Sequence, residues 1–186
     1  MKISVKKRHS ERKSLAKQLR RAGEIPAVIY RRGQAGETVT LPSDAFTALM
    51  RQVLPGRLPT TIFSLVDDKG KEVRAVIKDI QYKVTNYQVI HLDFEELVEG
   101  QLVKVKVPIE CVGVADSPAV KLGNVLRQVI RHIRVACLPK DIPAYFEVDV
   151  KDLGPRGAKR LKDLQIPHSV RPLANLEEVA VVMVKR

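Results

Sequence analysis

The stretch Thr60–Phe94, "TTIFSLVDDKGKEVRAVIKDIQYKVTNYQVIHLDF", decides how this chain is to be folded. Two apolar runs, "TTIFSLV" and "KEVRAVIK", flank the polar turn signal "DDKG" and together predict a β-hairpin. A further strand is expected over Tyr87–Phe94. In it Ile90, Leu92 and Phe94 share one face, while His91 and Asp93 share the other, because successive strand side chains point to opposite sides. With the apolar set buried, His91 and Asp93 point outward together. Such a pair reads as an ion pair of little consequence, as an acid/base pair, or as a pair that recognises hydrogen-bonding groups on a ligand. Gln81, in "KDIQ" (Lys78–Gln81), adds an amide that both donates and accepts.

Upstream, "ISVKK" predicts a short strand, and Ser10 stands where it could cap a helix over Glu11–Ala22. Leu15, Leu19 and Ala22 fall on one face of that helix. Lys13, Lys17, Arg20 and Arg21 fall about 140–240° round the wheel from Leu15, which leaves the other face basic. Gly23 suits a left-handed stop, and "AVIY" follows as a strand. "RRGQAGE" is a loop, "TVTL" a strand, and "SDAFTALMRQVL" a helix capped by Ser43. "ELVEGQ" (Glu96–Gln101) marks a domain boundary, giving domains 1–97 and 98–186. Beyond it "LVKVKVPIECVGV", "AYFEVDVKDL" and "EEVAVVMV" alternate as strands. The segment "SPAVKLGNVLRQVIRHIRVACLP" holds a loop, then mostly extended alternation. The chain is therefore expected to be mainly β, with a second β-rich domain.

Composition narrows the function. Hydrophobic residues make up 45% of the chain, too many for a disordered one. The net charge is +12, an excess that points to a polyanion. Residues 1–32 hold 11 Lys and Arg against two acids, so the excess is concentrated in the first sixth of the chain. No apolar run approaches the ~20 residues of a membrane-spanning helix, and no secretory leader is expected. Cys111 and Cys137 form no metal-ligand spacing and are expected as reduced thiols. No metal or cofactor site is expected. Catalytic motifs are missing, and the four histidines are scattered; a ribonuclease using His91 is the enzymatic alternative. Aromatic residues are few, which disfavours single-strand binding and favours a structured duplex or internal loop.

"KSLAKQLRRAGEIPAVIY", then "KDIQ", then "HLDF" ten residues after Gln81, together resemble the twenty-fifth large-subunit ribosomal protein family of bacteria. The length and the second domain resemble its long form, also called the general stress protein CTC. The resemblance implies a small N-terminal β-barrel with helices that seats in the minor groove of an internal loop of 5S ribosomal RNA. It carries RNA-contact roles onto Arg8, Lys13, Lys17, Arg20, Tyr30, Lys78, Asp79, Gln81, Tyr82, His91 and Asp93. Arg21 joins them from the basic helix face. The chain departs from the family pattern at Arg12–Ser14, where Gly-Lys-Gly is usual, and at Gln18, Arg31 and Lys83–Val84. The implied protein is a cytoplasmic, non-enzymatic constituent of the large subunit, a monomer beside neighbouring ribosomal proteins. The alternative is a stress-related RNA-binding protein acting off the ribosome. For the second domain, contact with ribosomal RNA, with a protein, or with neither stays open. The basic loop of Arg156, Lys159, Arg160 and Lys162 reads as a solvated surface.

Overall fold

In the computed structural model, which describes residues 1–8, 13–31 and 33–185, Thr60–Phe94 supplies three consecutive antiparallel strands. They are β4 (Ile62–Asp67), β5 (Glu72–Tyr82) and β6 (Val89–Glu96). The first turn closes with Gly70 N–H donating to the Asp67 carbonyl at 2.8 Å, and Gly70 takes a left-handed φ of 76°. The strand expected from Tyr87 begins two residues later. Lys83 N–H donates to Gln88 O and Tyr87 N–H to Lys83 O, both at 2.8 Å, so these residues are consumed in the turn.

Before this meander come β1 (Lys2–Lys7), α1 (Lys13–Arg21), β2 (Glu24–Tyr30), β3 (Glu37–Pro42) and α2 (Ser43–Gln52). The six strands close into a barrel in the order β1-β3-β2-β6-β5-β4. Two parallel pairings, β2 with β6 and β1 with β4, complete the ring, so no strand edge is left open. Strict alternation sends Ile3, Val5, Ile25, Ala27, Val39, Leu41, Leu65, Ala75 and Leu92 inward. Phe63 and Phe94 meet edge to face at 6.3 Å in the same core. From α2, Phe46 is wholly buried in that core, with Leu49 and Met50 packed beside it.

Two local expectations are corrected. Ser43 does not cap α2: Pro42, with φ −65° and ψ 129°, occupies the cap position because the helix starts directly off β3, and the Ser43 N–H is taken by the Gly23 carbonyl at 2.9 Å. Ala22 is exposed rather than on the buried helix face, since α1 ends at Arg21 and Ala22 already belongs to the turn that Gly23 closes at φ 79°. The expected Ser10 cap lies outside the described residues.

The compact units are Met1–Gln101 and Leu102–Arg186. In the second, β7 (Val103–Val112) lies between β9 (His132–Cys137) and β10 (Phe146–Asp149), with β12 (Arg171–Pro172) beyond β9. A smaller antiparallel sheet runs β11 (Ala158–Arg160), β13 (Val179–Val184), β8 (Val125–Gln128). A short helix, α3 (Pro118–Lys121), stands inside the segment expected to be loop and strand. Buried Ser117, just before it, donates from Oγ to the Leu153 carbonyl at 2.9 Å. Cys111 pairs in register with Val148, and Cys137 with Val103, eight residues away along β7. At ~3.3 Å per residue that is about 26 Å, beyond disulfide reach, and neither cysteine is in a disulfide.

Candidate nucleic-acid interface

The outward face of β5 and β6 is set by register. Gln81 stands opposite His91, and Asp79 opposite Asp93, while Ile80 and Leu92 pair on the inner face. Residues directly opposite share a face, so the four polar side chains form one block. Two irregularities shape it. Ile77 pairs with Phe94 and Asp79 with Asp93, which leaves Lys78 as an extra, bulged residue. The bulge resets the alternation, so that Ile77 and Ile80, three residues apart, both face the core. The second lies at Ile90, unmatched between the Gln81–His91 and Tyr82–Val89 pairs. Its carbonyl accepts from Arg20 Nε at 2.9 Å, which ties the end of α1 to the start of β6.

The block is chemically mixed. His91 Nδ1 lies 2.9 Å from Asp93 Oδ1. Yet Nδ1 is buried without an aligned hydrogen-bond partner, so the contact is one of proximity. Lys78 Nζ lies 2.5 Å from Glu95 Oε2, so this lysine is committed to a carboxylate. Asp79 facing Asp93 is the unfavourable element, two like charges directly across an antiparallel pair. Tyr30 on β2 registers with Glu95 of β6. Burial, then Glu95, Asp93 and Asp79, push its phenol up to about 12, which keeps it a neutral O–H donor.

At one end of this block, α1 packs on β2. Leu15, Ala16 and Leu19 are half-buried, while Lys17, Arg20 and Arg21 are exposed. With Lys83, these three cations line an open groove that also holds Glu24 and Asp44. Arg8 lies at the end of β1, its N–H donating to Thr38 O at 3.0 Å and its carbonyl accepting from Thr38 Oγ1 at 2.7 Å. Thr38 registers with Val28, and Val28 with Asp93, so Arg8 stands at the far end of a row leading to the polar block. Tyr82 is 45% exposed at the end of β5. The Lys13 side chain lies outside the described residues.

Two residues escape the sequence pattern used above. Glu95 continues the His91, Asp93 alternation by one step, and following that period to the strand end finds it. Tyr87 is 79% exposed at the turn beside Tyr82, with a left-handed φ of 55° that a bulky side chain rarely adopts. The other described histidines, His132 and His168, belong to the second unit, so no second described imidazole in the first accompanies His91. Among the described residues no cluster of His, Cys, Asp or Glu is arranged to hold a metal ion, and no helix is long and apolar enough to cross a membrane.

Comparison with known proteins matches residues 3–94 to the ribosomal L25p family and residues 102–186 to the C-terminal domain of ribosomal protein TL5. Over all 186 residues, and the whole of each relative, the chain is 47% identical to the large ribosomal subunit protein bL25 of Chlamydia abortus. It is 45% identical to that of Chlamydia trachomatis serovar L2 and 42% to that of Chlamydia pneumoniae, again over both full lengths.

Proposed function

The chain belongs to the ribosomal L25p family, a structural constituent of the large ribosomal subunit and not an enzyme, and we propose that its first unit binds 5S ribosomal RNA. The carrying observation is the Asp79–Asp93 pair beside Gln81 and His91 on one outward face. Carboxylates repel phosphates, so this block fits base edges and 2′-hydroxyls instead. The wide, shallow minor groove of A-form RNA offers those groups, including the guanine amino donor. Asp79 and Asp93 accept, Gln81 does both, and Tyr30, neutral through the physiological range, donates. The exposed cations Lys17, Arg20, Arg21 and Lys83 meet phosphates alongside and set affinity without sequence information. In this reading the protein works as a monomer in the cytoplasmic ribosome, beside neighbouring ribosomal proteins.

The test is a gel shift of the full chain against 5S RNA and a random duplex of equal length. Strong retention of the first alone is expected; equal retention of both overturns the reading. In the same assay, Arg20→Ala weakens binding to every RNA and lowers the salt slope by roughly 0.7–0.9. An unchanged slope would remove Arg20 from the phosphate contacts and leave it as the brace on Ile90.

A further inference from the structure

The second unit holds 15 Lys and Arg against 9 Asp and Glu, whereas residues 33–101 hold 7 against 10. Part of that excess is gathered on one sheet face. Val103, Val105 and Val107 of β7 and Ile133 and Val135 of β9 are buried. Lys104, Lys106, His132 and Arg134 therefore point to the opposite side, and all four are exposed. The register sets Lys106 directly opposite Arg134, and Arg171 of β12 beside Ala136 in the next row. The acids nearest on this face, Glu110 and Glu147, stand together at the β10 side, past the end of the β7–β9 pairing.

Like charges directly across an antiparallel pair destabilise a sheet. Elsewhere the fold relieves some of its cations. Lys2 reaches Glu72, Lys7 reaches Glu37 and Asp67, Arg31 reaches Glu96, and Arg160 and Lys162 share Glu177. Lys106, Arg134 and Arg171 have no ion-pair partner among the described residues. Two like charges held directly opposite each other, with Arg171 in the next row, form a site suited to a counter-charge.

We propose that this face is a second RNA-binding surface, which takes the phosphates of an A-form helix without regard to sequence. The inference rests on the protein's place in the ribosome but not on which RNA the first unit binds. A flat grid of cations, about 6.6 Å apart along a strand and about 4.8 Å between strands, suits a phosphate backbone. On an A-form duplex, whose deep, narrow major groove hides the base edges that Arg and Lys would read, such cations meet phosphates rather than bases. An acidic protein is the competing occupant, since Leu173, 47% exposed, donates its backbone N–H to the Arg134 carbonyl beside these cations and could join a protein interface.

The experiment uses the full chain and an A-form RNA duplex unrelated to ribosomal sequence, with affinity followed as salt is raised. Replacing Lys106, Arg134 and Arg171 together by Gln is expected to weaken binding several-fold. It also lowers the slope by roughly 0.7–0.9 for each phosphate no longer neutralised. Arg134→Glu gives Lys106 an opposite charge, so it is expected to raise the melting temperature while weakening RNA binding. Unchanged duplex binding in both variants overturns the proposal. So does weaker binding accompanied by a lowered melting temperature in both, which assigns the side chains to the fold. Intact RNA binding together with failure to be retained on polyglutamate reassigns the face to an acidic protein. A chain with no preference for 5S RNA whose variants still bind the duplex more weakly breaks the reading of the first unit only.

Discussion

Each unit sets a pair of like charges across antiparallel strands on the face proposed to meet RNA, and these two pairs have opposite signs; a further acidic pair, Glu110 and Glu147, lies across the parallel β7–β10 ladder. In the barrel Asp79 faces Asp93; in the second unit's larger sheet Lys106 faces Arg134. The surroundings differ as much as the sign. The barrel pair is embedded among a histidine, an amide, a phenol and a lysine already tied to Glu95, whereas the sheet pair has Lys104 and His132 two residues away on its own strands and an acid only further along, at Glu110. A mixed surface presents a pattern of donors and acceptors and can discriminate; an unmixed one presents only potential. On the two proposals together, one protein separates choosing an RNA from holding it.

The largest effect comes from removing the scaffold beneath one face. Phe94→Ala should cost the barrel roughly 3–5 kcal/mol, and Ile133→Ala should cost the second unit roughly 2–5 kcal/mol. Followed by calorimetry, each substitution is expected to shift its own unit's transition. A single shared transition moved equally by both would show that the units do not fold independently. Next, Asp93→Ala relieves the acidic pair. It should leave stability unchanged or improved while weakening 5S binding by roughly 1–3 kcal/mol and barely altering binding to unrelated duplex. Equal losses on both RNAs would put Asp93 outside the reading block.

Smaller still is Tyr30→Phe, which removes one hydroxyl donor, at roughly 0.5–1.5 kcal/mol of 5S affinity. It also has a signature in alkali. The folded phenol ionises at about 12 against an ordinary 10.0, so its contribution to stability is full below pH 10 and is lost as pH rises to 12. The phenylalanine variant should lose less stability across that window in denaturant titrations, and an identical profile would contradict the burial of Tyr30 beside Asp93 and Glu95. At the bottom lies Glu177→Gln. Arg160 and Lys162 hold this carboxyl below its usual range, but all three groups are exposed, so the melting temperature should scarcely move.

The contrast between the faces also explains what could be seen in advance. The β4–β5 hairpin, the basic side of α1 and the outward His91–Asp93 pair follow from local periodicity, and the structure reproduces them. The bulge at Lys78 leaves no such trace, since the decision to skip a residue is made by the partner strand; with it goes the pairing of Lys78 with Glu95. Ser43 has the chemistry of a cap, but Pro42 serves as both strand end and helix cap. In the second unit the densest run of charge along the chain, from Arg156 to Lys162, has two of its members neutralised by Glu177. The unrelieved cations sit at 106, 134 and 171, too far apart for any window to join. Only the register of β7, β9 and β12 makes them neighbours.

The barrel closes through pairings between distant parts of the chain: β1 lies alongside β4, and β2 alongside β6. β6, the last of the six strands to be synthesised, carries His91 and Asp93. Contacts of such long sequence separation form late and slowly. Until they form, Tyr30 has no Glu95 beside it and Arg20 has no Ile90 carbonyl to grip, although the local β5–β6 pairing already sets Asp79 against Asp93. An unclosed chain therefore has its basic segments and its β5–β6 block, but nothing sets them side by side. In the proposed reading such a chain still sticks to RNA and chooses less well. In that reading, selective recognition also favours the copies whose distant barrel strands have found their places.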